Sequence, residues 1–254
     1  MTMKRQCRKA VILAAGEGSR VRSASGGRPK CLMDLGGRPI IEWILLALAE
    51  AGMSQVIMVT GYRAPVLKAS LGAHRHGLGI RYVHNRRWRQ PNGLSLYTAR
   101  KAVKAGESFL ALMSDHLLSP GIIRKVANAP TARCVLAVDT EVTGVFDVRD
   151  ATKVRIVNGR PAAIGKKLHS YNAVDCGLFR FDGRMFRALE AAFKTGRQSL
   201  TDGVRNLIAG DDLDVVPVGA DAYWIDIDTP KAYREALRAM DGFASTFTAR
   251  RKGL

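Results

Sequence analysis

Residues 10–30 read AVILAAGEGSRVRSASGGRPK, an apolar run that ends in a glycine-rich, basic loop. Ala10–Ala15 has the length and composition of a strand covered on both faces. A glycine loop directly after such a strand suits phosphate binding, because glycine lets backbone N–H groups approach phosphate oxygens closely. Two familiar nucleotide fingerprints fail here. Gly16 and Gly18 are in place for a dinucleotide loop, but Val21 stands where its third glycine belongs. A Walker A loop needs a glycine–lysine–hydroxyl ending, and GGRPK stands there instead. Kinases and ordinary dehydrogenases lose their support. Within the loop, Arg20 has the fork geometry for a bidentate phosphate contact and Lys30 supplies a mobile point charge. Taken alone, the segment reads equally well as a flexible basic surface loop.

Outward from this loop, short apolar strands alternate with helices. Residues 40–51 read as a helix, with Pro39 near its start and Gly52 just beyond its end. Strands are expected at 55–61, 80–83, 108–116 and 133–139, with helices at 64–71, ending at Leu71, and at 94–103. That alternation indicates an α/β fold: a Rossmann-like, mixed but predominantly parallel sheet with helices on both faces. The second half changes character. Asn158-Gly159 lies between apolar segments as a hairpin signal. Further strands are expected at 174–182, 213–219 and 223–228, with a helix at 185–194. A last helix begins at TPKAY, with Pro230 in its first turn and Asp228 as its cap. No linker or repeat divides the chain, so 1–254 reads as a single domain with β-rich insertions around 140–182.

The composition is that of an ordinary soluble globule, 47% hydrophobic and 24% charged. WILLALA at 43–49 is too short to span a bilayer, and no signal peptide is evident, which gives a cytoplasmic reading. Cys7, Cys31, Cys134 and Cys176 are too dispersed for a metal cluster and read as free thiols. The formal net charge of +18 suits nucleic acid, an anionic membrane or an enzyme whose substrates all carry phosphate. No arginine-rich tail or aromatic–basic repeat marks a dedicated nucleic-acid module.

Carboxylates shift the balance toward chemistry. Asp115 follows the strand FLALM, at the sheet edge where open α/β sheets bind ligands. Asp226 and Asp228 alternate in YWIDID and share a face at two-residue spacing. An Asp115–Asp226 pair could hold magnesium between nucleotide phosphates. Each aspartate alone is commonly a turn or cap residue.

Four motifs in order, AVILAAGEGSRV, RPKCLMDLGGRPII, MSDH and YWIDIDTPKAY, resemble those of the sugar-phosphate nucleotidyltransferases of glycosyltransferase-A-like fold. More narrowly, PNGLSL at 91–96, ATKVRIVNGRPAAIGKKL at 151–168 and YNAVDCGLF are similar to the CTP:inositol-1-phosphate cytidylyltransferases. The resemblance implies magnesium-dependent transfer of CMP from CTP to inositol 1-phosphate, giving CDP-inositol and pyrophosphate. It places Gly16, Gly18 and Arg20 around the triphosphate and Lys30 on the reacting phosphates. Ala14, Ala15, Asn92, Gly93 and Ser95 would frame the nucleotide, and Asp115 and Asp226 would bind magnesium. Lys166, or its neighbour Lys167, would contact the acceptor phosphate, with Asp175, Cys176 and Gly177 approaching the acceptor. Relatives of this kind are often fused to a membrane phosphotransferase. The expectation here is a stand-alone enzyme whose product feeds such a phosphotransferase, with no dedicated nucleic-acid partner.

Alternatives remain open on the residues. Lys166 and Lys167 also read as solvated hairpin-edge charges, Asn92 and Ser95 as bend and cap residues, and Cys176 as packing. Rival acceptors are a phosphocholine or a phosphonate, with guanylyl transfer to a molybdenum cofactor more distant. A silent nucleic-acid-binding protein is the rival outside enzymes.

Overall fold

A computed structural model of the chain describes residues 7–18, 27–219 and 222–247. The central sheet is built around β1 (Lys9–Ala14), all six residues of which are buried. Ala10, Ile12 and Ala14 belong to the apolar cluster on one face, and Val11 and Leu13 to the cluster on the other. Two-residue alternation between two covered faces explains why the strand reads as an unbroken apolar run.

β1 pairs in parallel with β2 (Gln55–Thr60) on one side and β5 (Phe109–Met113) on the other. Beyond β2 lies parallel β4 (Leu78–His84), edged by the two-residue β3 (His74–Arg75). Beyond β5 lies β10 (Ala173–Phe181), antiparallel to both β5 and β7 (Cys134–Asp139). The outer strand β11 (Leu213–Pro217) is parallel to β7. A hairpin of β8 (Lys153–Val157) and β9 (Arg160–Gly165) joins the start of β10. Its turn sits at Asn158 and Gly159, both with positive φ (49° and 74°), as the sequence signal requires. The sheet is therefore mixed, with its antiparallel part concentrated around β10.

One face is covered by α1 (Ile40–Glu50) and α4 (Pro120–Ala127), the other by α3 (Asn92–Thr98), α5 (Gly183–Lys194) and α6 (Leu200–Ala209). α2 (Ala64–Leu71) follows β2, and α7 (Pro230–Arg238) and α8 (Met240–Ser245) close the described chain. No helix among the described residues is long and apolar enough to cross a membrane.

Several boundaries differ from the sequence expectation. The run 108–116 is not one strand: β5 stops at Met113, and β6 (His116–Leu118) pairs instead with β12 (Trp224–Asp226) in a separate two-stranded ribbon. The helix expected at 94–103 begins at Asn92 and tightens into a 3-10 turn over Ala99–Ala102. Asp228 does not cap α7; Thr229 does, its hydroxyl accepting from Ala232 N at 3.1 Å. α4 and α6 were not anticipated. α6 carries a full capping box, with Ser199 and Asp202 bonded reciprocally, a pattern visible in SLTD.

Candidate active site

Strand direction brings the polar residues to one end of the sheet. β1 and β5 end there, and β10, running the other way, begins there. Asp115, just after β5, thus stands between the glycine loop that follows β1 and the first residues of β10. A cavity of about 660 Å³ opens at this end, within the range of small-ligand sites.

Lys30 lies in a 3-10 turn (Lys30–Leu32) and is 7% exposed. Its ammonium donates to Asp115 Oδ2 at 2.7 Å and to Asp228 Oδ1 at 2.5 Å. Gly18 makes room for it: its φ is +67°, and a Cβ there would come within 2.6 Å of the Lys30 Cβ. The ribbon of β6 and β12 sets Asp226 opposite His116, and Ile227 N donates to Asp115 O at 3.0 Å. His116 Nδ1 consequently lies 2.9 Å from Asp115 Oδ1 and 3.7 Å from Asp226 Oδ1. Gly177 (φ +72°) admits the imidazole, since a Cβ there would overlap the ring.

These contacts separate the proton affinities of the groups. Burial disfavours charge on Asp115, yet Lys30 and His116 hold its carboxyl well below the usual carboxylate range. Burial likewise opposes the Lys30 charge, but Asp115 and Asp228 raise its affinity for the proton. For His116, Asp226, Asp115 and Asp175 outweigh burial and push the ring up to about 9. Burial raises Asp226, and lifts Asp175 to about 6.

Asp115, His116 and Asp226 offer one ligand atom each within 4.8 Å of one another. Asp226 Oδ1 is buried without a hydrogen-bond partner. An orphaned carboxylate oxygen beside a second carboxylate is costly alone and fits a divalent cation.

Most of the sequence-derived residues converge. Ala14, Gly16, Gly18, Lys30, Asn92 and Asp115 line the cavity, together with Lys166, Asp175, Gly177 and Asp226. Lys166 Nζ sits 2.9 Å from Asp150 Oδ1, whereas Lys167 is exposed outside the cavity. Arg20 lies outside the described residues. Four others stand away from the cavity. Ala15 is buried, its carbonyl accepting from Tyr62 N at 2.9 Å. Gly93 lets α3 press on the backbone of Gln198 and Ser199, which a Cβ would strike at 2.5–2.8 Å. Ser95 is buried and accepts from Asn85 Nδ2 at 3.0 Å. Cys176 is packed in the apolar cluster, its thiol pushed far above its ordinary value by burial. Asn92 contributes its side chain, Oδ1 accepting from Leu200 N at 2.9 Å.

The sequence did not point to the acidic wall. Asp139, Asp147, Asp150 and Glu235 line the cavity beside Phe146, Tyr223 and Trp224. Trp224 Nε1 donates to Asp139 Oδ2 at 2.8 Å, which holds that carboxylate in place. Adding Asp115, Asp175, Asp226 and Asp228, eight of the chain's 22 carboxylates line this one cavity.

A nucleotide-sized cavity built from a glycine loop, a buried lysine and paired aspartates narrows the comparison with known proteins. The sequence profile of the MobA-like NTP transferase domain matches residues 10–209. The chain belongs to this family. It is 32% identical over 238 residues to the bifunctional IPC transferase and DIPP synthase of Rubrobacter xylanophilus, covering 93% of this chain and 53% of that protein. It is 34% identical over 246 residues to the protein of the same description from Archaeoglobus fulgidus, covering 93% and 46%. The chain thus spans about half the length of these curated relatives. Among solved structures, the inositol-1-phosphate CTP transferase from T. maritima superposes with a TM-score of 0.81 at 23% identity, covering 98% of this chain and 99% of that one. The fold is therefore the mixed α/β, glycosyltransferase-A-like architecture of nucleotidyltransferases.

Proposed function

We propose that this MobA-like domain is a magnesium-dependent cytidylyltransferase that transfers CMP from CTP to inositol 1-phosphate, releasing pyrophosphate and CDP-inositol. One observation carries the reading: Lys30 bridges Asp115 and Asp228 in a cavity that also holds Asp226, Lys166 and the glycine loop. An acceptor phosphate oxygen forms a bond to the α-phosphorus of CTP as the α–β bridging bond breaks, and the electron pair leaves with pyrophosphate. A phosphate monoester has a second pKa of about 6 and is largely ionised near neutrality, so the acceptor needs alignment rather than a base.

Lys30 would stabilise charge on the transferring phosphoryl group, with Arg20 from the loop. Lys166 would hold the acceptor phosphate, exchanging its contact with Asp150. Gly16, Gly18 and Asn92 would frame the nucleotide, and Asp175 and Gly177 would face the acceptor within the 140–182 region. Bound by Asp115 and Asp226, magnesium would neutralise phosphate oxygens in a cavity otherwise lined by carboxylates. His116 would keep the Asp115 carboxylate oriented. The reading includes a cytoplasmic enzyme whose product is consumed by a membrane phosphotransferase.

The acidic wall with Phe146, Tyr223 and Trp224 favours a second acceptor class, because aromatic faces and carboxylates together recognise cations. Phosphocholine and amino-phosphonates are of that class. Carboxylates accept from vicinal hydroxyls equally well, which keeps inositol 1-phosphate first. Pyrophosphate release across common nucleoside triphosphates, crossed with inositol, choline, sugar and phosphonate acceptors, tests the reading. CTP with inositol 1-phosphate should be the best pair, and chelation of the metal should abolish its turnover. Efficient turnover with another acceptor and none with inositol 1-phosphate would overturn it.

A further inference from the structure

From residue 51 to residue 106 the sequence contains no Asp or Glu, yet it carries ten Lys or Arg. This stretch folds as β2, α2, β3, β4 and α3, the outer part of the sheet on the β4 side. Arg75 and Arg100 reach across to Glu42 and Glu190. Lys104 lies by Glu107, just beyond the stretch; among the described residues Arg63, Lys68, Arg86, Arg87 and Arg89 make no carboxylate ion pair. Arg63, Lys68, Arg86, Arg87 and Arg89 are all exposed.

Aromatic contacts gather Arg63 and Arg89 around one Tyr62–Trp88 pair. The Arg63 guanidinium lies 5.8 Å from the centre of the Tyr62 ring, and Tyr62 lies 5.5 Å from Trp88. Arg89 covers Trp88 at 4.2 Å. A separate contact sets Lys68, on α2, 5.7 Å from Tyr82 of β4. Arg86 and Arg87 lie in the turn that carries Trp88.

We propose that this acid-free edge docks the protein onto an anionic membrane surface. A plane of negative headgroups attracts exposed basic side chains without demanding a groove or a specific partner geometry. The patch residues do not line the active-site cavity, nor a second cavity lined by Arg180 and Arg133. Tyr62 and Trp88 meet at an interplanar angle of 57°, with Arg63 beside one ring and Arg89 over the other, so guanidinium groups already lie where single-stranded bases would stack. The proposal is independent of which acceptor the cavity takes.

Sedimentation of the full chain with vesicles tests it. The lipids are phosphatidylcholine alone, or phosphatidylcholine with about 30% phosphatidylglycerol, which sets an anionic surface potential. Binding should occur only to the anionic vesicles and vanish between about 0.05 and 0.5 M salt, as the Debye length shrinks. Each basic side chain at such a surface is worth roughly fivefold in partitioning, so combining Arg63→Gln, Arg86→Gln and Arg87→Gln should weaken binding roughly a hundredfold. Removing the same charge elsewhere, with Arg155→Gln, Lys194→Gln and Arg197→Gln, should change it much less. The wild-type salt dependence needs no variant to fold. Absence of binding to anionic vesicles at low salt would overturn the proposal. So would equal losses in the two triple variants, or tighter binding to an RNA or DNA oligonucleotide at the same salt.

Discussion

Lys30 shows how much chemistry one side chain can concentrate. It is almost fully buried, yet it stays charged because Asp115 and Asp228 surround it. Replacing it with Met removes the cation that Asp115 and Asp228 share. Lys30→Met should lower kcat by about 100-fold or more, the usual effect of losing one group that stabilises transition-state charge. Wild-type kcat in that variant, measured by pyrophosphate release, would remove Lys30 from the mechanism. Gly177 is the second critical residue. Its φ of +72° and its contact with the His116 ring leave no room for a methyl group. Gly177→Ala should cost about 2 kcal/mol in urea denaturation, more than a left-handed position alone explains, because the ring must also move. Lys30 was legible in the sequence as a basic residue at the end of a glycine loop. Asp228 was visible but assigned to helix capping, a role that Thr229 takes. Cys176 was grouped with Asp175 and Gly177, although neighbouring strand residues face opposite sides of a sheet.

At the scale of elements, β1 and the hairpin at Asn158–Gly159 were readable because their local pattern agrees with their tertiary setting. The ribbon of β6 and β12 was not readable, since its pairing joins Leu117 to Ile225 across more than a hundred residues. That pairing is what carries Asp226 to Asp115. Part of the acidic wall was hidden for a similar reason: Asp147 and Asp150 lie in the loop from 140 to 152, which has no periodicity. Another inter-element contact makes a pH prediction. Glu42 on α1 is 6% exposed and bonds Arg75 Nε at 2.7 Å and His76 Nε2 at 2.5 Å. Burial raises the Glu42 carboxyl, but the Arg75 and His76 contacts prevail and lower it. A carboxyl lowered on folding adds stability above its unfolded pKa and loses it as pH falls through the folded value. Glu42→Gln should therefore cost about 2 kcal/mol near pH 7 and progressively less below the carboxylate range. Denaturation curves at pH 7 and in acid check this; a pH-independent difference would contradict it.

Over the whole molecule, charge is segregated. A chain of net charge +18 directs eight carboxylates into one cavity and leaves a 56-residue stretch without any. Net charge alone suggested phosphate partners, nucleic acid or membrane without choosing among them. The fold assigns different parts of that charge to different surfaces. A polyanionic nucleotide enters the acidic cavity only with compensating cations, which is why Lys30, Lys166 and a divalent metal belong to the same account. The most direct test incubates the purified chain with CTP, magnesium and inositol 1-phosphate and follows products by phosphorus NMR. The proposed transfer yields CDP-inositol and pyrophosphate in equal amounts, with both lost in Asp115→Ala and Asp226→Ala variants that remain folded. No CDP-inositol from the wild-type chain, or undiminished product from both variants, would contradict it.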